Sequence, residues 1–120
     1  MKITLKTLAQ ATEQEVFDQV ATHLLKQNVQ AIDDSRDGCA YRGKDGTKCA
    51  MGCLMSDEEY DPVWDKTGAR WYALARDNKV PREHCVLLIE LQQVHDNHMP
   101  EVWFKKLRHL AEDYGLNMPV

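Results

Sequence analysis

The sequence predicts an α+β fold that is mostly α, in which three to five helices pack with a small β-hairpin. Helical periodicity in the first and last thirds of the chain predicts the helices. Between them, residues 38–54 hold three of the four cysteines and four of the six glycines, a pattern typical of tight turns. We expect residues 1–120 to form one globular domain, because a chain of this length buries roughly two-thirds of its unfolded surface.

The glycine-rich stretch predicts a hairpin turn at residues 44–46, Lys-Asp-Gly, with Gly46 in the left-handed region. In this register Tyr41 faces Cys49 across the two strands. Residues 2–6 alternate polar and apolar side chains, which predicts a short strand that could become the third strand of the sheet.

Two N-cap signals predict helix starts in the first half of the chain. Thr12 and Glu15 form a capping-box pattern, and apolar residues then recur at helical spacing through about Gln27. Ser56 precedes the acidic residues 57–59 as an N-cap would, which predicts a short acidic helix after the hairpin.

Three further helices are predicted in the second half. A partial apolar face indicates one over residues 69–76. Pro81 suits the first turn of another, which would run from residue 82 to about 95. Pro100 begins the last one, and Gly115 is expected to end it in a left-handed C-cap.

The negative charge of the chain is concentrated around the predicted hairpin. Residues 33–61 contain eight acidic and four basic side chains, whereas the two flanking parts are balanced. Such a surface either keeps the protein in solution or attracts a basic partner. If the surface attracts a basic partner, Tyr41 and Arg42 are the candidate anchors. The candidate acids are Asp33, Asp34, Asp37, Asp57, Glu58, Glu59 and Asp61.

Cysteines and histidines leave a metal site open as an alternative. A structural zinc needs four ligands, commonly in closely spaced pairs, and only Cys49 and Cys53 approach that spacing. The possible ligand set is Cys39, Cys49, Cys53, His95 and His98. Free cysteine is also among the most buried residue types, so buried packing thiols are the favoured reading. Cys85, beside His84 at a helix start, is weighed as a nucleophile and is better explained as structural.

Composition restricts the function classes. A net charge of −4 argues against a nucleic-acid binder that works by overall charge. We find no apolar run of transmembrane length. The sequence opens Met-Lys-Ile-Thr without an apolar signal segment, which predicts a cytoplasmic protein with reduced cysteines.

Three parts of the chain together resemble a known group. These are Glu15–Val20, then Cys39–Gly43 with Lys48–Leu54, and finally Leu91–Asp96 before Trp103. In these stretches the chain is similar to small uncharacterised proteins encoded by tailed bacteriophages. The resemblance covers most of the chain and implies a context more than a mechanism, because the group carries no established activity.

That context implies a small non-enzymatic protein in the cytoplasm of the host cell. Acidic phage proteins of this size often bind and inhibit a host enzyme or an anti-phage defence protein by surface complementarity. We therefore expect a protein partner with a basic surface, and we assign no catalytic residue, metal or cofactor. A small zinc-dependent enzyme or zinc-stabilised module is the alternative.

Overall fold

The described part of the chain folds into five α-helices. A computed structural model describes residues 2–33 and 39–119. The helices are α1 (Glu13–Gln27), α2 (Pro62–Thr67), α3 (Trp71–Arg76), α4 (Cys85–Asn97) and α5 (Trp103–Tyr114). Single 3₁₀ turns occur at Leu8–Gln10, Lys44–Gly46, Gly52–Leu54 and Pro100–Val102.

The capping box predicted at the start of α1 is present. The Glu15 amide donates to Thr12 Oγ1 over 3.1 Å, and the Thr12 amide donates to Glu15 Oε1 over 2.8 Å. The helix ends at Asn28, which adopts a left-handed φ of 54°. Its buried face consists of Val16, Phe17, Val20, Ala21 and Leu24, as the periodicity predicts.

Helices α4 and α5 form the other half of the core. Helix α5 packs against both α1 and α4, with Trp103 fully buried at its start. Gly115 ends α5 at a φ of 66°, and the Leu116 amide donates to the Ala111 carbonyl over 2.8 Å, which is the predicted Schellman-type stop. Helix α4 begins at Cys85, later than predicted, because His84 is left-handed at a φ of 64°.

The α+β prediction is wrong, because residues 2–33 and 39–119 contain no β-strand. Residues 2–6 do not form the predicted third strand, and distant side chains take up their backbone hydrogen bonds in place of a neighbouring strand. The Ile3 amide donates to Gln19 Oε1 over 2.6 Å, and Gln19 Nε2 donates back to the Ile3 carbonyl over 2.9 Å. Glu59 accepts the amides of Leu5 and Lys6.

The predicted hairpin is reduced to a turn with one isolated bridge, between Arg42 and Lys48. Asp45 and Gly46 both have positive φ, 60° and 75°, as in the type I′ turns that Asp-Gly favours. The strands do not extend, because the amides of Tyr41 and Arg42 donate to the carboxylate of Asp65. Beyond Cys49 the chain turns into the 3₁₀ segment Gly52–Leu54.

The short acidic helix predicted after Ser56 is also absent, and residues 57–59 form a turn. Ser56 and Glu59 do exchange the hydrogen bonds of a capping box. However, Pro62 disfavours the helical conformation for the residue before it, and Asp61 is extended at a φ of −115°. Asp61 instead caps α2, where its side chain accepts from the Val63 amide.

Gly52 is the position where the backbone has the least room for a side chain. A Cβ atom there would lie 2.0 Å from the carbonyl oxygen of Tyr41, which is backbone and cannot rotate away. We expect Gly52→Ala to lower the free energy of unfolding by about 3 kcal/mol or more through this overlap. Urea denaturation measures the change.

Gly115→Ala is the matched control, because a Cβ at Gly115 meets nothing within 4 Å and only the positive φ is strained. We expect Gly115→Ala to lower the free energy of unfolding by about 1 kcal/mol. Equal losses for the two variants would contradict the close approach of the chain at Gly52.

Candidate functional site

The predicted acidic surface is partly described by the structure. Asp57, Glu58 and Asp61 are exposed, whereas Asp33 and Glu59 are half-buried. Asp34 and Asp37 lie outside the described residues. The exposed acids therefore come from one short segment, residues 56–61, which connects the 3₁₀ turn at Gly52–Leu54 to α2.

Arg42 is held inside the molecule by this segment. Its Nη1 lies 2.6 Å from Asp57 Oδ1, and its Nη2 donates to the Met55 carbonyl over 2.7 Å. The guanidinium also lies 5.0 Å from the ring centroid of Tyr60, a cation–π distance. The hydrogen bond and charge of Arg42 lower the pKa of the Asp57 carboxyl. Arg42 thus fixes the position of Asp57, whose side chain remains 89% exposed.

Glu59 also has a structural task, because it joins the segment 56–61 to the N-terminal residues. Partial burial by itself would raise the pKa of Glu59, but hydrogen bonds from the amides of Ser56, Leu5 and Lys6 outweigh it and lower that pKa. Its carboxylate oxygens lie 3.0 Å and 2.9 Å from the Leu5 and Lys6 nitrogens. Glu59 is therefore the member of the acidic set that ties two segments together.

Tyr41 is buried, and its hydroxyl donates to the Ala69 carbonyl over 2.7 Å. The backbone amide of Tyr41 lies 2.9 Å from Asp65 Oδ1, and that of Arg42 lies 3.2 Å from Asp65 Oδ2. Tyr60 donates its hydroxyl to Asp65 Oδ2 over 2.6 Å. Burial raises the pKa of Tyr60, and the hydrogen bond to Asp65 adds to the effect.

Sequence reasoning did not single out Asp65, although it is the buried acid of this region, with 5% of its surface exposed. Its position directly after Trp64, an aromatic residue expected in the core, is the signal that could have found it. A buried carboxylate must be hydrogen-bonded. Its donors are Tyr41, Arg42 and Tyr60, and the sequence does not show that Tyr41 and Arg42 lie beside it, because they are 24 and 23 residues away.

Cys49 and Cys53 are buried thiols, as the favoured reading of the sequence expects. Cys53 Sγ donates to the Ala50 carbonyl over 3.0 Å, and Cys49 Sγ accepts from the Gly52 amide over 3.3 Å. Burial raises the pKa of Cys49 and raises that of Cys53 to about 12. Both thiols are therefore protonated at neutral pH, which disfavours a nucleophilic role because the nucleophile is the thiolate.

A different set of residues comes closest to a metal site. Ligand atoms of Cys39, His95 and Asp96 lie within 4.8 Å of one another, the one such group among the described residues. Of the predicted zinc ligands, Cys39 and His95 are thus brought together, and Cys49, Cys53 and His98 are not part of the group. Asp96 was not among the predicted ligands.

The hydrogen bonds of His95 argue against metal binding there. The Ala31 amide donates to Nε2 over 2.9 Å, so Nε2 carries the lone pair and Nδ1 carries the proton. Nδ1 then donates to Asp96 Oδ1 over 2.7 Å. A metal needs a lone pair on one ring nitrogen, and the only one in the neutral ring is taken by Ala31. The ring is fully buried and stacks on Trp103 with 5.6 Å between centroids.

A cavity of about 500 Å³ lies beside this group. Its walls come from the loop residues 39–41 and 49–51, from residues 64–72 and from α4. Four aromatic side chains line it, namely Tyr41, Trp64, Trp71 and Tyr72. Sequence reasoning did not predict it, because the aromatic residues come from separate segments.

Comparison with protein families, curated protein sequences and solved structures gave no match. Within the part of the chain that the structure describes, no helix is both long enough and apolar enough to cross a membrane.

A substitution at Asp65 tests whether its carboxylate holds the backbone of the loop at Tyr41 and Arg42 in place. Asp65→Asn keeps the shape but removes the charge and places an NH₂ donor where one of the two carboxylate oxygens accepts. We expect the free energy of unfolding to fall by about 2–4 kcal/mol. Hydrogen exchange of the Tyr41 and Arg42 amides should become faster, as measured by NMR. The exposed Asp77→Asn serves as the control, and an equally small loss in both variants would refute the role of Asp65.

The tautomer of His95 leads to a prediction about zinc. Because Ala31 occupies the lone pair on Nε2, protein purified without added metal should contain zinc well below one ion per chain. Added zinc should leave the melting temperature unchanged. Elemental analysis and calorimetry measure both quantities. Stoichiometric zinc that is lost in Cys39→Ser would show that the ring nitrogen is available after all.

Proposed function

We propose that this chain is a non-enzymatic binding protein that uses its acidic surface to capture a protein with a basic surface. The observation that carries the proposal is the exposure of Asp57, Glu58 and Asp61 on one short segment. Following the resemblance to small phage proteins, the partner is a host or anti-phage defence protein in the host cytoplasm, which the binding modulates or inhibits.

The fixed geometry of residues 56–61 supports this proposal. Arg42 holds Asp57 from one side, and Glu59 ties the segment to the Leu5 and Lys6 amides. Asp61 is fixed by capping α2. A preordered segment loses little conformational entropy on binding, and a cluster of one charge sign accelerates encounter with the opposite sign.

The roles of the reactive side chains also favour binding over catalysis. Cys49 and Cys53 are buried with raised pKa values. His95 is bonded through both ring nitrogens, and His84 is bonded to the Ala11 carbonyl over 2.8 Å. Cys49, Cys53 and His95 would each have to leave an intramolecular hydrogen bond to act on a substrate.

The test neutralises the exposed acids and the half-buried Asp33 with amide side chains that keep a hydrogen-bond acceptor. The acidic-surface variant combines Asp33→Asn, Asp57→Asn, Glu58→Gln and Asp61→Asn, and it leaves Glu59 intact. The control variant makes the same change in charge at other exposed positions, with Glu83→Gln, Glu101→Gln, Glu112→Gln and Asp113→Asn.

Partners are captured from phage-infected host lysate on the tagged wild-type protein, identified by mass spectrometry, purified and titrated by calorimetry. We expect the acidic-surface variant to bind at least about tenfold more weakly, and to lose the salt dependence of the wild type. The control should bind as the wild type does. Equal affinities for both variants, or no partner in the wild-type capture, would refute the proposal.

A further inference from the structure

Helix α5 carries a basic surface, which consists of Lys105, Lys106 and Arg108. Lys105 and Arg108 are exposed, and Lys106 is half-buried. The acids of this helix follow only at residues 112–113, so the first half of the helix carries positive charge alone. Among the residues that the structure describes, no carboxylate forms an ion pair with any of these three cations.

The position of the basic surface is unfavourable within its own helix. Lys105 and Lys106 lie in the first turn of α5, which contains no acidic residue. The helix dipole places a positive partial charge at this end of the helix and therefore repels a cation there. A negatively charged partner next to the basic surface would compensate this repulsion.

Exposed apolar side chains adjoin the basic surface. Phe104 is 52% exposed and lies four residues before Arg108, so the two share one face of the helix. Val102, just before α5, is 38% exposed. Exposed apolar side chains with a charged rim are typical of protein interaction sites. The partner that fits is a protein surface that combines acidic side chains with an exposed apolar one.

The same chain carries such a surface at the acidic segment, residues 56–61. Asp57, Glu58 and Asp61 are exposed there, and Val63, directly beyond the segment on α2, is 46% exposed. The two surfaces are therefore complementary in charge, and each has an apolar side chain beside its charges. A nucleic acid fits the basic surface less well, because it presents a long row of phosphates and three cations neutralise few of them.

We propose that the basic surface of α5 binds the acidic segment of a second copy of this chain. Its cations contact Asp57 and Glu58 of the second copy, and Phe104 packs on Val63 of that copy. The two surfaces are different parts of the chain, so the contact is heterologous and one copy can use both surfaces. The basic partner proposed above would compete with the second copy for the acidic segment. The purified chain alone tests the self-association, so either proposal can fail without the other.

The test measures the mean mass of the purified full chain by sedimentation equilibrium at about 20 mM and about 500 mM salt. We expect concentration-dependent self-association at low salt with a dissociation constant below about 1 mM, since small interfaces give weak complexes. The association should be at least about tenfold weaker at high salt, because salt screens contacts between exposed charges. No self-association at low salt, or association that salt does not weaken, overturns the inference.

Two charge variants assign the contact. The α5 variant carries Lys105→Glu and Arg108→Glu. The segment variant carries Asp57→Asn and Glu58→Lys, in which the amide keeps an acceptor for Arg42. All four substituted side chains are exposed, and circular dichroism checks that the helices form. Each variant alone should self-associate about tenfold more weakly than the wild type. An equimolar mixture should associate, because the intact acidic segment of one variant meets the intact basic surface of the other.

The matched control is Lys79→Glu with Arg82→Glu, which makes the same change in charge as the α5 variant at exposed positions outside α5. It should self-associate as the wild type does. Wild-type association in either charge variant, or a mixture of the two that does not associate, overturns the inference. A wild type that stays monomeric but binds a single-stranded DNA oligonucleotide, with that binding lost in the α5 variant, overturns it as well.

Discussion

The buried carboxylate of Asp65 is the interaction on which this structure depends. It accepts two backbone amides of the loop, at Tyr41 and Arg42, and the hydroxyl of Tyr60. Burying a carboxylate is costly unless donors surround it, so α2 and the loop can pack together only in the arrangement that supplies those donors. The carboxylate thereby fixes a loop that has no sheet to support it.

Asp65 also connects the wall of the cavity to the acidic segment, residues 56–61. It lines the cavity, and it holds the backbone of Arg42, whose side chain in turn positions Asp57 on the acidic segment. The acidic segment and the cavity wall thus share one support.

Side chains satisfy the backbone in several non-helical parts of this protein. Gln19 pairs with the backbone of Ile3, Glu59 accepts two N-terminal amides, and His95 accepts the amide of Ala31. Each of these contacts crosses a long stretch of sequence. They also account for much of the polar chemistry that could otherwise be taken for an active site, since the groups concerned are engaged within the molecule.

Local patterns in the sequence predicted α1, α3, α4 and α5 and several of their ends, whereas α2 was not predicted. The Thr12 capping box, the apolar spacing in α1, α4 and α5 and the Gly115 stop act within a few residues, so they are visible without the fold. The burial of Cys49 and Cys53 also followed from residue type. Tertiary structure decided whether the extended segments became strands, because alternation predicts an extended chain but not its hydrogen-bond partner. Those partners proved to be the distant side chains of Gln19, Glu59 and Asp65.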